Sequence, residues 1–201
     1  MLQFPLYFPT IFMKLSKSKI TLIAIIGIAV LGALWVWSSY NGLIRAKASL
    51  DTSWAQVETQ YQRRFDLIPN LQATVQGAVD FEQETFIKVT EARTQWQSAG
   101  TQSEKISAAG SFDSALSRLL VTVENYPDLK ATQNFRDFQV QLEGTENRIA
   151  VARKDFNESV RSYNVFIRVF PRNFLANAFG YQASDFFESA GGSENAPSVE
   201  F

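Results

Sequence analysis

The chain has 201 residues, with 19 Lys and Arg against 20 Asp and Glu and a formal net charge of −1. It contains neither Cys nor His, which removes disulfides, thiolate nucleophiles, imidazole bases and the usual zinc sites together. The basic residues are scattered and no EF-hand spacing of carboxylates is present, so neither a nucleic-acid partner nor a cofactor is expected.

Residues 1–19 form a basic lead-in with Lys14, Lys17 and Lys19, and Met13 is a candidate true start. Residues 20–37, ITLIAIIGIAVLGALWVW, are apolar without a single charge. As a helix they would span roughly 27 Å, close to the hydrocarbon thickness of a bilayer. A cleaved signal peptide would need small residues where Trp35, Val36 and Trp37 stand, and a lipid-modified anchor would need a Cys. Residues 20–39 are therefore read as one transmembrane helix, with the lipid bilayer as a partner. The lysines before the run outnumber Arg45 and Lys47 just after it. That bias points to a cell (inner) membrane protein with a cytoplasmic N-terminus and an external body, the opposite topology remaining open.

Residues 40–170 read as a helical bundle domain. Leu50, Trp54, Val57, Tyr61, Ile68, Leu71, Val75 and Ala78 recur at alternating spacings of four and three, with Arg64 filling the gap. Val89 and Trp96 continue the stripe until Gly100. Pro69 is costly inside a helix and cheap in a first turn. With Asp66 as a candidate N-cap, a first helix is expected to end near Phe65 and a second to begin at Asp66. The unbroken phase of the stripe through Pro69 favours a single kinked helix instead.

A third helix is expected from Ser103 or Ser111 to Asn125, on the face of Phe112, Leu116, Leu119, Leu120 and Val123. A fourth runs from Asp128 to Val169, with Phe135, Phe138, Leu142, Thr145, Ile149, Ala152, Phe156, Val160, Tyr163 and Phe166 as its stripe. Stripes of this kind with short connections predict an all-α antiparallel four-helix up-and-down bundle. Residues 171–188 form an amphipathic aromatic segment. Counting passes brings it back to the membrane, so Phe174, Leu175 and Phe179 are candidate membrane-surface residues, a cap on the bundle being the alternative. Residues 189–201 read as a disordered tail.

Several ordered pieces of this chain resemble the LemA family of bacterial membrane proteins. They are Arg63-Arg64-Phe65-Asp66-Leu67-Ile68-Pro69-Asn70-Leu71, Tyr126-Pro127-Asp128-Leu129-Lys130-Ala131 and Gln141-Leu142-Glu143-Gly144-Thr145-Glu146-Asn147-Arg148-Ile149-Ala150. Ala152-Arg153, Tyr163-Asn164, Phe170-Pro171 and Phe179-Gly180-Tyr181 continue the likeness. The resemblance implies an N-terminal transmembrane helix before a four-helix bundle, and favours the break at Asp66. It implies no reaction and no catalytic residue. A predicted topology for some members places the N-terminus outside, opposite to the lysine count.

Antiparallel first and fourth helices of equal rise would place Arg64 level with Gly144. Arg63, Arg64, Asp66, Pro69 and Asn70 then approach Glu143, Glu146 and Arg148 as a candidate structural or interaction network. Arg64, on the stripe, is expected to pair with Glu143 or Glu146. The function expected is a non-enzymatic scaffold or adaptor whose partner is another membrane or envelope protein. The alternative is a lipid-surface or membrane-stress protein acting through its aromatic segment.

Overall fold

The structure is a computed structural model and describes residues 17–76 and 83–187. The expectations for Met13, Ala78 and the tail from residue 189 lie outside these. Among the described residues the regular elements are all helices: α1 Lys17–Phe65, α2 Ile68–Gln76, α3 Gln83–Ser98, α4 Gln102–Val123, α5 Pro127–Lys130, α6 Gln133–Arg168 and α7 Arg172–Ala178.

The 49 residues of α1 extend roughly 74 Å at the α-helical rise. Its first part stands clear of the rest, for none of its 18-residue apolar window is buried. Burial begins at Ser39 and Leu43 and then follows the stripe through Leu50, Val57, Tyr61 and Arg64. The opposite wall of the core comes from α6, through Phe135, Phe138, Leu142, Ile149, Phe156, Val160 and Tyr163. Burial of each large apolar side chain contributes about 1.5–3 kcal/mol, so these facing stripes fix the register of the pair.

That register is antiparallel along its whole length. Gly42 faces the Phe166 ring, Trp54 packs at a tilt on Phe156 at 5.3 Å between centroids, and Arg64 reaches Glu146. Further on, Leu67, Asn70 and Thr74 share a shallow groove with Asn134, Asp137 and Gln141. The ladder therefore continues through Pro69, and α2 runs on in the direction of α1. This corrects the expected second helix, because the break at Asp66–Leu67 is a two-residue turn without a reversal. The backbone bonds Asp66 N–H to Gln62 O (2.9 Å) and Leu67 N–H to Arg64 O (3.2 Å) carry the chain across it. Asp66 does not cap α2, since its carboxylate accepts from Gln62 Nε2 at 2.8 Å.

The descending pass is α3, packed against α4, with Lys105 Nζ 4.8 Å from the Trp96 ring centroid. The next pass, α4, starts at Gln102 on a reciprocal cap: Thr101 Oγ1 accepts from Glu104 N–H, and the Glu104 carboxylate accepts from Thr101 N–H. It lies parallel to α1, since Glu58 meets Lys105 and Phe65 meets Phe112, at 4.7 Å between rings. Pro127 occupies the first helical turn of α5. The fourth helix thus starts later than expected, at Gln133, where Thr132 Oγ1 accepts from Phe135 N–H. With α1 and α2 as one pass, the up-and-down four-helix bundle stands, and α6 ends beside the point where α1 leaves the core.

Candidate functional site

Polar groups converge at mid-height in the bundle. Arg64 is 1% exposed, and its Nη1 donates to Asp113 Oδ1 at 2.8 Å while Nη2 donates to Glu146. Arg153, about two turns beyond Glu146 on α6, donates to the other Asp113 oxygen and to the Tyr61 hydroxyl. Tyr61 Oη in turn lies 3.3 Å from Asp113 Oδ2. Three passes are tied at this level: α1 by Tyr61 and Arg64, α4 by Asp113, and α6 by Glu146 and Arg153. Burial pushes the Asp113 carboxyl up to about 6, against the downward pull of Arg64 and with a small push from Glu146. Burial also lowers the Arg153 guanidinium below its ordinary value.

Of the residues singled out from the sequence, Arg64 and Glu146 meet here. Arg63, Glu143 and Arg148 face solvent and take no part. Asp66, Pro69 and Asn70 are exposed at the turn into α2. Sequence reasoning missed Asp113, which follows the stripe residue Phe112 and is set by the parallel packing of α4 on α1. Arg153 was visible only as part of a family motif.

A second feature is the membrane-proximal end. Trp35, Trp37, Gly42 and Arg45 of α1 border one shallow depression with Phe166 and Arg172. Phe179 packs on Tyr40 at 4.9 Å between rings, and Arg172 lies 4.4 Å over the Phe166 ring. Phe170 (74% exposed), Phe174 (65%) and Phe179 (52%) stay open beside the exit of the apolar run. Leu175 is half-buried and packs on the core, so the open apolar surface at this end is made by the rings. Ala176 beside it is buried.

An uncovered apolar helix that passes without interruption into a four-helix bundle defines the class: a membrane-associated helical-bundle protein. The model of the LemA family matches residues 53–201, and the chain belongs to that family. Among its relatives are the magnetosome proteins MamQ 1 and MamQ 2 of Paramagnetospirillum magneticum. Each is 26% identical over 175 residues, a stretch covering 74% of this chain and 64% of theirs. The chain thus spans less than two thirds of the length of those proteins. Protein LemA of Metamycoplasma hominis is 24% identical over 152 residues, covering 72% of this chain and 69% of its own.

Proposed function

We propose that this LemA-type protein is a non-enzymatic scaffold or adaptor, anchored in the cell (inner) membrane by residues 20–39, whose bundle recruits another membrane or envelope protein. The observation that carries this reading is the continuity of α1, which is wholly uncovered over its apolar window and buries one continuous stripe in the bundle from Leu43 onward. An apolar helix with no protein cover is stable only in lipid. The relatives named as magnetosome proteins support a membrane setting. The strongest ionisable candidate for chemistry, Asp113, has both carboxylate oxygens engaged by arginines, which suits structure rather than proton transfer. From the lysine excess the N-terminus is cytoplasmic and the bundle external. Proximity labelling from the intact anchored chain should enrich a small set of membrane or envelope proteins. An enrichment no different from that of an unrelated protein on the same anchor contradicts the reading. Protease added to spheroplasts, with the outer layer opened, should cut the bundle, and full protection would reverse the orientation.

The open rings Phe170, Phe174 and Phe179 favour a second reading, in which the α6–α7 corner lies in the lipid interface. In a chain without Cys, nitroxide labels at Phe174→Cys and Phe186→Cys discriminate. Reconstituted in vesicles, the first should be relaxed by oxygen and the second by an aqueous nickel chelate. Equal aqueous accessibility at both positions removes this reading.

A further inference from the structure

Beyond α7 the chain turns at Gly180, whose φ of 75° suits glycine, and residues 181–187 run without helix back along α6. Three side chains of α6 hold this strap by its main chain: two asparagines, and Tyr163, whose hydroxyl donates to Gln182 O at 2.9 Å. Asn164 Nδ2 donates to Ser184 O while Asn164 Oδ1 accepts from Ser184 N–H, both at 2.9 Å. Asn157 makes the same two-way pair with Phe187, again at 2.9 Å. Each side-chain amide presents one donor and one acceptor, as a neighbouring strand would. The spacing fits as well. Seven helical residues rise about 10.5 Å and three extended residues cover about 10 Å, so the match depends on the peptide backbone and not on the strap's side chains.

Three strap side chains pack on the body, the first being Tyr181, half-buried against the core. Ser184 Oγ donates to Gln102 Oε1 at 2.8 Å. The Phe187 ring is 7% exposed and sits in an aromatic socket, 5.9 Å from Trp54, 5.7 Å from Phe156 and 6.5 Å from Tyr61. The Arg153 guanidinium covers it at 4.9 Å. Gln182, Ala183, Asp185 and Phe186 face outward.

We propose that this groove between α1, α4 and α6 is a peptide-recognition site. Its ligand is an extended protein segment carrying a hydroxyl residue and, three residues later, an aromatic one. The strap is its resident intramolecular occupant, displaced when a partner protein presents the same chemistry. The strap is suited to leave, because it takes part in no helix and is held by side-chain hydrogen bonds, the half-buried Tyr181 and one buried ring. As a tethered competitor it acts at an effective concentration in the millimolar range, so displacement needs a partner that is itself concentrated beside it. A protein anchored in the same membrane meets that condition. This deepens the adaptor reading by naming its surface, and the test requires neither a membrane nor the natural partner. Loss of the groove would therefore leave the adaptor reading standing.

The probe is a fluorescent acetylated peptide, Tyr-Gln-Ala-Ser-Asp-Phe-Phe, added to the full chain in detergent. Phe187→Ala vacates the socket and should tighten peptide binding by about tenfold or more over the unsubstituted chain. Adding Asn157→Ala, or ending the peptide in Ala, should reverse that gain. Unchanged binding to a Phe187→Ala chain of full helicity overturns the proposal, as does equal binding of the Ala-ended peptide. The unsubstituted chain supplies an independent test by hydrogen exchange. The amides of Ser184 and Phe187 should exchange faster than those of Val160 and Tyr163, and faster still with excess peptide. Exchange locked to that of α6, or indifferent to the peptide, overturns it even if the variant fails to fold.

Discussion

Arg64 joins two carboxylates of unequal worth. The Asp113 side chain is 28% exposed and that of Glu146 is 66% exposed, so solvent screens the second arm far more than the first. Breaking a buried pair by removing one partner costs about 3 kcal/mol, whereas an exposed pair contributes less than about 1 kcal/mol. Arg64→Ala is therefore expected to destabilise by roughly 3 kcal/mol and Glu146→Ala by less than about 1 kcal/mol, read by chemical denaturation. A double-mutant cycle should find the larger coupling between Arg64 and Asp113, and a larger one to Glu146 would contradict this ranking. The pH dependence has an unusual sign. Because the folded Asp113 carboxyl is raised from 3.8 to about 6, the fold binds its proton more tightly than the unfolded chain does. Its contribution is complete below the unfolded value and disappears as pH rises through about 6. The unsubstituted chain should lose stability, on the order of 2 kcal/mol, relative to Asp113→Asn between pH 4 and pH 7. A flat difference across that window contradicts the assignment.

At the scale of elements, α1 and α6 approach closely where the bundle meets the apolar run. A Cβ on Gly42 would come within 2.7 Å of Phe166 Cζ. Phe166 is half-exposed, so Gly42→Ala can push the ring aside and recover about 1 kcal/mol of helix propensity, leaving stability nearly unchanged. Gly42→Leu has no such escape and should cost about 1–3 kcal/mol by overpacking, lowering the melting temperature. The stripes of α1 and α6 were legible because one buried face repeats at helical spacing, and even Arg64 was visible as a charge on that face. The reversal was not. Pro69 is a strong local breaker, yet the phase of Ile68, Leu71 and Val75 continues that of Tyr61, and packing on α6 outweighs the break. The strap escaped periodicity altogether, since an extended segment held by Asn157 and Asn164 leaves no helical or alternating pattern in its own residues.

For the whole molecule, the apolar run and the bundle are one rod with two solvents. The lower part, with Ile28 at 72% and Leu31 at 67% exposure, is covered by none of the described residues, and the upper part packs around a core. Sequence length and composition sufficed for the first half of that statement, because a charge-free run of such length has few alternatives. The second half needed three-dimensional packing: Asp113 lies on α4 and Arg153 on α6, and nothing in the spacing announces that Arg64 and Arg153 both close on Asp113. The most direct measurement is carbonate extraction of membranes from cells making the full chain. The chain should remain in the pellet, and charges placed at Ile25 and Ala29 should release it into the supernatant with its helicity intact, since each costs about 3 kcal/mol at mid-membrane. An unsubstituted chain that enters the supernatant, folded and without detergent, would contradict the account.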